Sequence, residues 1–345
     1  MIFALILLVL LGISVLYNIG NFASLLFHGR SYRYAGSHTV GPRLEEATLE
    51  DHDASAKIAV IKVDGIITGQ IIDQGGFSMV DLIKAQLKRA EDDNNVKAVI
   101  LKVDSPGGEV LAADEIYRAI SEFQRHSPSK PVVASMGSLA ASGGYYVSAP
   151  CRWIVANEMT ITGSIGVILS SWNYRGLMDK VGVLPQTFKS GKYKDMLSGS
   201  REPDTITPEE KQMVQNLIDQ TFKRFKTVVK EGRDQAYAKS KEKEGRPLNG
   251  NWQDYADGRV LSGGEAYDLG FVDQLGTFDN AVKKTEELAG IGEANLIEYQ
   301  QHFDLSDLFR LFGKSDAKSV KLELGVDLPK LQAGRLYFLA PTFLR

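Results

Sequence analysis

Leu139-Ala140-Ala141-Ser142-Gly143-Gly144-Tyr145-Tyr146 follows a short apolar run, Pro131 to Met136, and opens a segment of small and aromatic residues. The run reads as a strand, and the Ala-Ser-Gly-Gly step as the junction where strand gives way to helix. Such a junction leaves backbone N–H groups unpaired beside a serine hydroxyl and favours negative charge. Gly143 has no side chain to block an approaching carbonyl, so its N–H can stabilise an oxyanion. Ser142 is therefore a candidate nucleophile, although the same residues also suit a serine at a tightly packed helix start. The segment does not follow the G-x-S-x-G nucleophile elbow.

Working outward, one strand upstream lies Asp104-Ser105-Pro106-Gly107-Gly108. It closes a β-branched run, Val96 to Val103, and precedes a helical pattern from Val110 to Phe123. The Gly107 and Gly108 N–H groups are candidates for the other half of an oxyanion hole. A Pro-Gly-Gly turn is ordinary by itself; its place one strand before an Ala-Ser-Gly segment is not.

The rest of the chain alternates in the same way. Ile58 to Val63 reads as a strand, and Met79, Leu82, Ile83 and Leu87 fall at helical spacing. Trp153 to Ala156, Ile165 to Leu169 and Pro185 to Lys189 read as further strands, and Gly176 to Val181 as a helix. Thr207-Pro208-Glu209-Glu210 is a helix start whose helix should turn Met213, Leu217, Phe222 and Phe225 towards the core. Lys239 to Asp254 reads as an exposed charged excursion, and Asn280 to Leu288 as the last core helix. Strands alternating with helices predict parallel pairing and an α/β fold.

The ends differ in character from the core. Ile2 to Phe27 holds no charged side chain and is long enough to cross a hydrocarbon core of roughly 30 Å. No Lys or Arg precedes it, and Phe22-Ala23-Ser24 is a poor cleavage site, so a retained anchor is expected over a signal peptide. Arg30, Arg33 and Arg43 follow the span, and a literal positive-inside count would keep the main domain in the cytoplasm. The expected organisation is an anchor over 1–29, a polar linker over 30–56, a core domain over 57–292 and a tail over 293–345. The apolar Leu336 to Leu339 is expected as an edge strand or a disordered end, with docking on the domain or entry into a groove as the alternative.

Composition removes several function classes. In 345 residues with a formal net charge of −3 there is no electrostatic footprint for nucleic acid. One cysteine, Cys151, excludes an internal disulfide framework and a Cys-rich zinc site. The five histidines are His28, His38, His52, His126 and His302, and none falls between Ser142 and Leu288. A Ser-His-Asp triad is thus poorly supported. A lysine can replace histidine as the base when burial keeps its amine neutral. Lys189, Lys192 and Lys194 are candidates, and spacing does not choose among them.

Six motifs in order carry a resemblance: Asp104-Ser105-Pro106-Gly107-Gly108, Ser135-Met136-Gly137, Ala140-Ala141-Ser142-Gly143-Gly144-Tyr145, Thr162-Gly163-Ser164-Ile165-Gly166-Val167, Ser190-Gly191-Lys192-Tyr193-Lys194-Asp195 and Ala256-Asp257-Gly258-Arg259-Val260. Over Ile58 to Leu288 the chain resembles the signal peptide peptidase A family of bacterial membrane serine proteases, in its short single-domain form. The resemblance implies a Clp-protease/crotonase-like α/β spiral of repeated β-β-α units behind one N-terminal transmembrane helix. It implies Ser142 as nucleophile, Lys194 as base, Ser164 as the group that orients the base, and Gly143 with Gly108, or else Gly107, as the oxyanion hole. No metal or other cofactor is implied. The implied substrates are remnant signal peptides and other short apolar peptides, met at the bacterial cytoplasmic membrane with the domain on its outer, periplasmic side. The implied assembly is a ring, an octamer, with Ser142 and Lys194 of neighbouring copies sharing each site. A crotonase-type acyl-CoA enzyme and a non-catalytic membrane scaffold of the same fold are the rival expectations.

Overall fold

The computed structural model describes residues 41–71, 76–240, 245–301 and 336–339. The apolar span Ile2 to Phe27 lies outside these residues. Among those described, no helix is long and apolar enough to cross a membrane.

Eleven strands and seven α-helices are described. The strands are β1 (Leu44–Glu50), β2 (Lys57–Asp64), β3 (Val96–Ser105), β4 (Gly107–Glu109), β5 (Val132–Ala140), β6 (Trp153–Ala156), β7 (Ile161–Gly163), β8 (Val260–Ser262), β9 (Gln274–Leu275), β10 (Asn295–Gln301) and β11 (Tyr337–Leu339). The helices are α1 (Met79–Asp92), α2 (Val110–His126), α3 (Gly143–Ser148), α4 (Arg175–Lys180), α5 (Pro208–Ser240), α6 (Gly263–Asp268) and α7 (Phe278–Ala289). The main sheet runs β1-β10-β2-β3-β5-β6-β9. All neighbours in that row are parallel except β1 with β10. The expected α/β class with a parallel sheet is what the chain adopts.

The sheet is buried on both faces, and β2 shows how the sequence arranges this. Ala59, Ile61 and Val63 point into the larger core cluster with residues of α1, α2 and α3, while Ile58 and Val60 join the opposite cluster against Phe278 and Val282 of α7. A run of β-branched residues without polar alternation is the pattern of a strand covered twice. Each fully buried Ile or Val contributes about 1.5–3 kcal/mol. Capping boxes fix where helices begin. Ser78 Oγ accepts the Asp81 N–H at 3.2 Å while Asp81 Oδ2 accepts the Ser78 N–H at 3.0 Å, which opens α1. Thr207 and Glu210 make the same reciprocal pair, which opens α5 as the sequence predicts.

Four expectations need adjustment. Leu44–Glu50, within the expected linker, is an edge strand, and Asn295–Gln301, within the expected tail, is the strand beside it. Ile165 to Leu169 and Pro185 to Lys189 are irregular; a strand forms instead at Ile161–Gly163, and only Ile168 makes an isolated bridge. Met213 and Leu217 are exposed. At 33 residues α5 is roughly 50 Å long, and the core covers it only from Phe222 onward. The excursion Lys239 to Asp254 returns to the domain: Trp252 is buried edge-on to Phe271 at 6.2 Å, and Arg246 stacks over Tyr267 at 3.9 Å.

The long helix is tied to the site region by a buried charge pair. Arg233 of α5 is fully buried, pairs with Asp273, and donates to the Cys151 carbonyl at 3.1 Å. Asp273 also accepts the Ile154 N–H at 2.8 Å. A buried guanidinium is tolerated only when so compensated. The pair thus pins α5 to the segment that follows α3.

Candidate active site

The sheet delivers the Ser142 and Gly107-Gly108 segments to one place. Strands β3 and β5 are parallel neighbours, so the loops leaving their C-terminal ends emerge side by side. Ala141 N–H donates to the Ser105 carbonyl at 3.1 Å and locks one loop onto the other. Ser142 N–H donates to the Gly163 carbonyl at 2.8 Å, which brings in a third segment. Thr162 Oγ1 donates to the Ala140 carbonyl at 2.7 Å and holds that segment in register.

Ser142 sits at φ 55° and ψ −115° immediately before α3. Positive φ is uncommon for a residue with a side chain, and such strain persists only where the surroundings over-determine it. Ser142 is 1% exposed, and its Oγ has no hydrogen-bond partner among the described residues. An unpaired buried hydroxyl costs stability, so both features make Ser142 a candidate for chemistry. Cys151, the one thiol, is no alternative nucleophile: burial pushes its pKa up to about 12.

The glycines around Ser142 have separate duties. Gly107 has φ 99°, and a Cβ on it would stand 2.0 Å from the Phe338 carbonyl oxygen and 2.6 Å from the Gly143 nitrogen. Only glycine fits there. Its own N–H donates to Ser105 Oγ at 3.1 Å and is thus already engaged. Gly108 lies beyond that bond, in β4, and Gly108 with Gly143 remains the candidate pair of oxyanion donors. Ser105 is a contributor that sequence reasoning missed; its place in the Asp-Ser-Pro-Gly-Gly motif was the available signal.

Ser164 is buried next to Gly163, at φ 49°, with its N–H donating to the Arg259 carbonyl at 2.7 Å. It therefore borders the Ser142 loop through its neighbour. Lys194 does not join this group. It is exposed, on the segment that runs from the Ser164 loop through α4 to the start of α5. Lys189 donates to Asp195 at 2.8 Å and Lys192 to Glu209 at 2.9 Å, and contact with Tyr193 and then Glu209 raises the Lys192 pKa. No ion pair of Lys194 occurs among the described residues. Of the described histidines, His52 pairs with Glu50 at 3.6 Å and His126 with Glu91 at 3.3 Å.

The sequence profile of peptidase family S49 matches residues 124–292, and that of Clp protease matches residues 55–160. A putative signal peptide peptidase SppA of Enterococcus faecium is 35% identical over 261 residues, covering 74% of this chain and 71% of that protein. The chain belongs to the signal peptide peptidase A family, peptidase family S49. A putative protease of Synechocystis sp. is 41% identical over 210 residues, covering 60% of this chain and 69% of its own length. Protease 4 of Salmonella typhi is 35% identical over 256 residues, but this chain covers only 38% of it. The Clp protease match spans β2 to β6 and so includes the loop that carries Ser142.

Proposed function

We propose that this protein is a serine endopeptidase with a Ser142–Lys194 dyad, whose substrates are remnant signal peptides and other short apolar peptides. The observation that carries the reading is Ser142 itself: a buried, unpartnered hydroxyl at positive φ, flanked by the N–H groups of Gly108 and Gly143. In this mechanism neutral Lys194 takes the Ser142 proton as Oγ attacks the peptide carbonyl carbon. The oxyanion rests on the Gly108 and Gly143 N–H groups. The Lys194 ammonium gives its proton to the leaving amine, and water then hydrolyses the acyl ester. Ser164 accepts a hydrogen bond from the lysine and orients it.

Lys194 is supplied by a neighbouring copy in this reading. The segment that carries it leaves Trp172, Leu177, Val181, Leu184 and Phe188 exposed, the last at 88%. Large apolar side chains left uncovered in this number support a surface that an assembly covers. Met213 and Leu217 of α5 are exposed as well. A closed ring of eight, anchored by Ile2 to Phe27 with the domain on the outer face of the cytoplasmic membrane, would place the enzyme where signal peptides are released.

Fluorophosphonate labelling with peptide mapping, alongside hydrolysis of a quenched apolar peptide, tests the reading. The expected label is on Ser142, and hydrolysis is expected to vanish in Ser142→Ala. Turnover that survives in Ser142→Ala would exclude it.

A further inference from the structure

Three lysines stand close together in Lys189 to Asp195, and two of them are engaged in holding the segment itself. Lys189 Nζ donates to Asp195 Oδ1 at 2.8 Å and to the Lys192 carbonyl at 3.2 Å, so it spans the turn on which Lys194 sits. Lys192 pairs with Glu209, on the first turn of α5, at 2.9 Å. Within the turn, Lys194 N–H donates to the Gly191 carbonyl at 3.2 Å and Ser198 N–H to the Asp195 carbonyl at 3.0 Å. Leu197 adopts φ 67°, a conformation that a bulky side chain keeps only where its surroundings over-determine it. The turn is therefore closely specified, although Lys194 itself is exposed.

Alternating charges fasten this turn to α5. Asp195 also pairs with Arg201 at 3.5 Å, and Arg201 grips Glu210 with both terminal nitrogens, Nη1 to Oε1 at 2.6 Å and Nη2 to Oε2 at 3.3 Å. Glu210 accepts the Thr207 N–H at 2.8 Å, which ends the chain of charges at the α5 N-terminus. The side chains of Asp195, Arg201 and Glu210 are 14%, 16% and 3% exposed, unlike the solvated surface pairs that contribute little. Arg201 also holds the other end of the segment. Its carbonyl accepts from Asn173 Nδ2 at 2.9 Å, beside the bond from the Tyr174 N–H to the Gly199 carbonyl at 2.8 Å. A Cβ on Gly199 would stand 2.1 Å from the Trp172 carbonyl oxygen, so the neck of the segment is closed tightly.

Asp195 adjoins the proposed base. A carboxylate left free beside a lysine base would favour the ammonium, which cannot accept a proton. Asp195 is instead shared by two cations, and the hydrogen bond from Lys189 holds its carboxyl below the usual carboxylate range. We propose that Asp195 and Arg201 are positioning residues for Lys194: through the chain Lys189–Asp195–Arg201–Glu210 they fix the turn that presents the base amine to the site. The assignment rests on the Ser142–Lys194 reading and names what aims its exposed half. A base on a long flexible stem acts only as well as its backbone is placed, and a displacement of about 1 Å can cost on the order of 10²-fold.

Steady-state hydrolysis of the quenched apolar peptide by the full-length protein tests the proposal, with the oligomer followed by native mass spectrometry. Asp195→Asn keeps the shape and removes the charge. It is expected to lower kcat at least about tenfold with KM within about threefold of the parent, because the base acts in the transition state. Arg201→Gln should do the same, and the double variant should lose no more than about threefold beyond either single one, since both cut one chain. Asp195→Glu, which restores the charge, should recover at least about threefold of the kcat lost in Asp195→Asn. If a neutral variant fails to assemble, Arg201→Lys takes its place with the same expected loss, because it keeps the charge and loses the fork. A merely structural role would lower the melting temperature with kcat per assembled site unchanged, and a merely electrostatic one would leave kcat of Asp195→Asn unchanged or raised. Either result, a loss carried by KM, or additive losses in the double variant would overturn the proposal. Full turnover in Lys194→Ala would instead overturn the dyad on which it rests.

Discussion

The loop that carries Ser142 and the arm that carries Lys194 are built differently. Ser142 is 1% exposed and is gripped by backbone bonds from the Ser105 and Gly163 segments. The arm from Trp172 to Lys194 holds only the short α4, and Trp172 and Phe188 are 81% and 88% exposed. One half of the proposed dyad is enclosed by the core of its own chain; the other is displayed on a surface rich in uncovered apolar side chains. In the proposed reading, a single copy finishes the nucleophile and the oxyanion donors, and a neighbour supplies the base. That reading also explains why the apolar residues of the arm and of the α5 N-terminus are spent on no core of their own.

The sharpest way to break this contrast is to remove each half. Ser142→Ala and Lys194→Ala are each expected to cut hydrolysis of an apolar peptide by at least about 10³-fold, since members of a catalytic unit fail together. Lys192→Ala, at a residue paired with Glu209, is expected to stay within about threefold of the parent. A severe loss in Lys192→Ala with full activity in Lys194→Ala would move the base to Lys192.

The enclosed half should depend on the core and the displayed half should not. Arg233→Ala leaves Asp273 buried without its partner and is expected to cost about 3–5 kcal/mol in urea unfolding. Leu184→Ala, on the arm, is expected to change the unfolding of isolated protomers by no more than about 0.5 kcal/mol. Comparable losses at both positions would show that the arm is part of the core after all.

Much of the enclosed half was legible in the sequence, and much of the displayed half was not. The Ile58–Val63 run announces a doubly covered strand because every one of its side chains but Lys62 is apolar. Thr207-Pro208-Glu209-Glu210 announces a helix start because the capping bonds are local. Residue types at strand ends single out Ser142 and Gly108 as candidates. The positive φ of Ser142 was not readable, because nothing in Ala-Ala-Ser-Gly-Gly requires it and the surrounding bonds impose it. Met213 and Leu217 have helical spacing, but periodicity alone does not say whether the core of the same chain reaches that face, and it does not. Pro185 to Lys189 has strand-like composition without a neighbouring strand to pair with. The pairing of β11 with β4 joins remote parts of the chain, and a four-residue apolar stretch near a terminus does not specify its partner.

Two smaller effects sharpen the boundary between the halves. Ser164→Ala should lower turnover on the order of tenfold without abolishing it, a part of what a positioned acid–base pair supplies. Steady-state rates in which Ser164→Ala matches the parent would remove Ser164 from the site. Where the arm meets α5, hydrogen bonds from Arg201 and from the Thr207 N–H lower the Glu210 carboxyl from 4.5 to about 2. A folded-state pKa below the unfolded value gives stability that is present above pH 4.5 and lost as pH falls towards 2. Glu210→Gln should therefore show a shallower drop in melting temperature over that window than the parent. Identical slopes would mean that the pair contributes nothing there.

The most direct test of the central claim, that two copies complete one site, is complementation. Ser142→Ala and Lys194→Ala proteins, each inactive alone, are unfolded together and reassembled as mixed oligomers, then assayed on the quenched peptide. The account predicts that activity returns only in the mixture, because some neighbours pair an intact Ser142 with an intact Lys194. A mixture as inactive as its parents, from oligomers shown by native mass spectrometry to contain both chains, would contradict it.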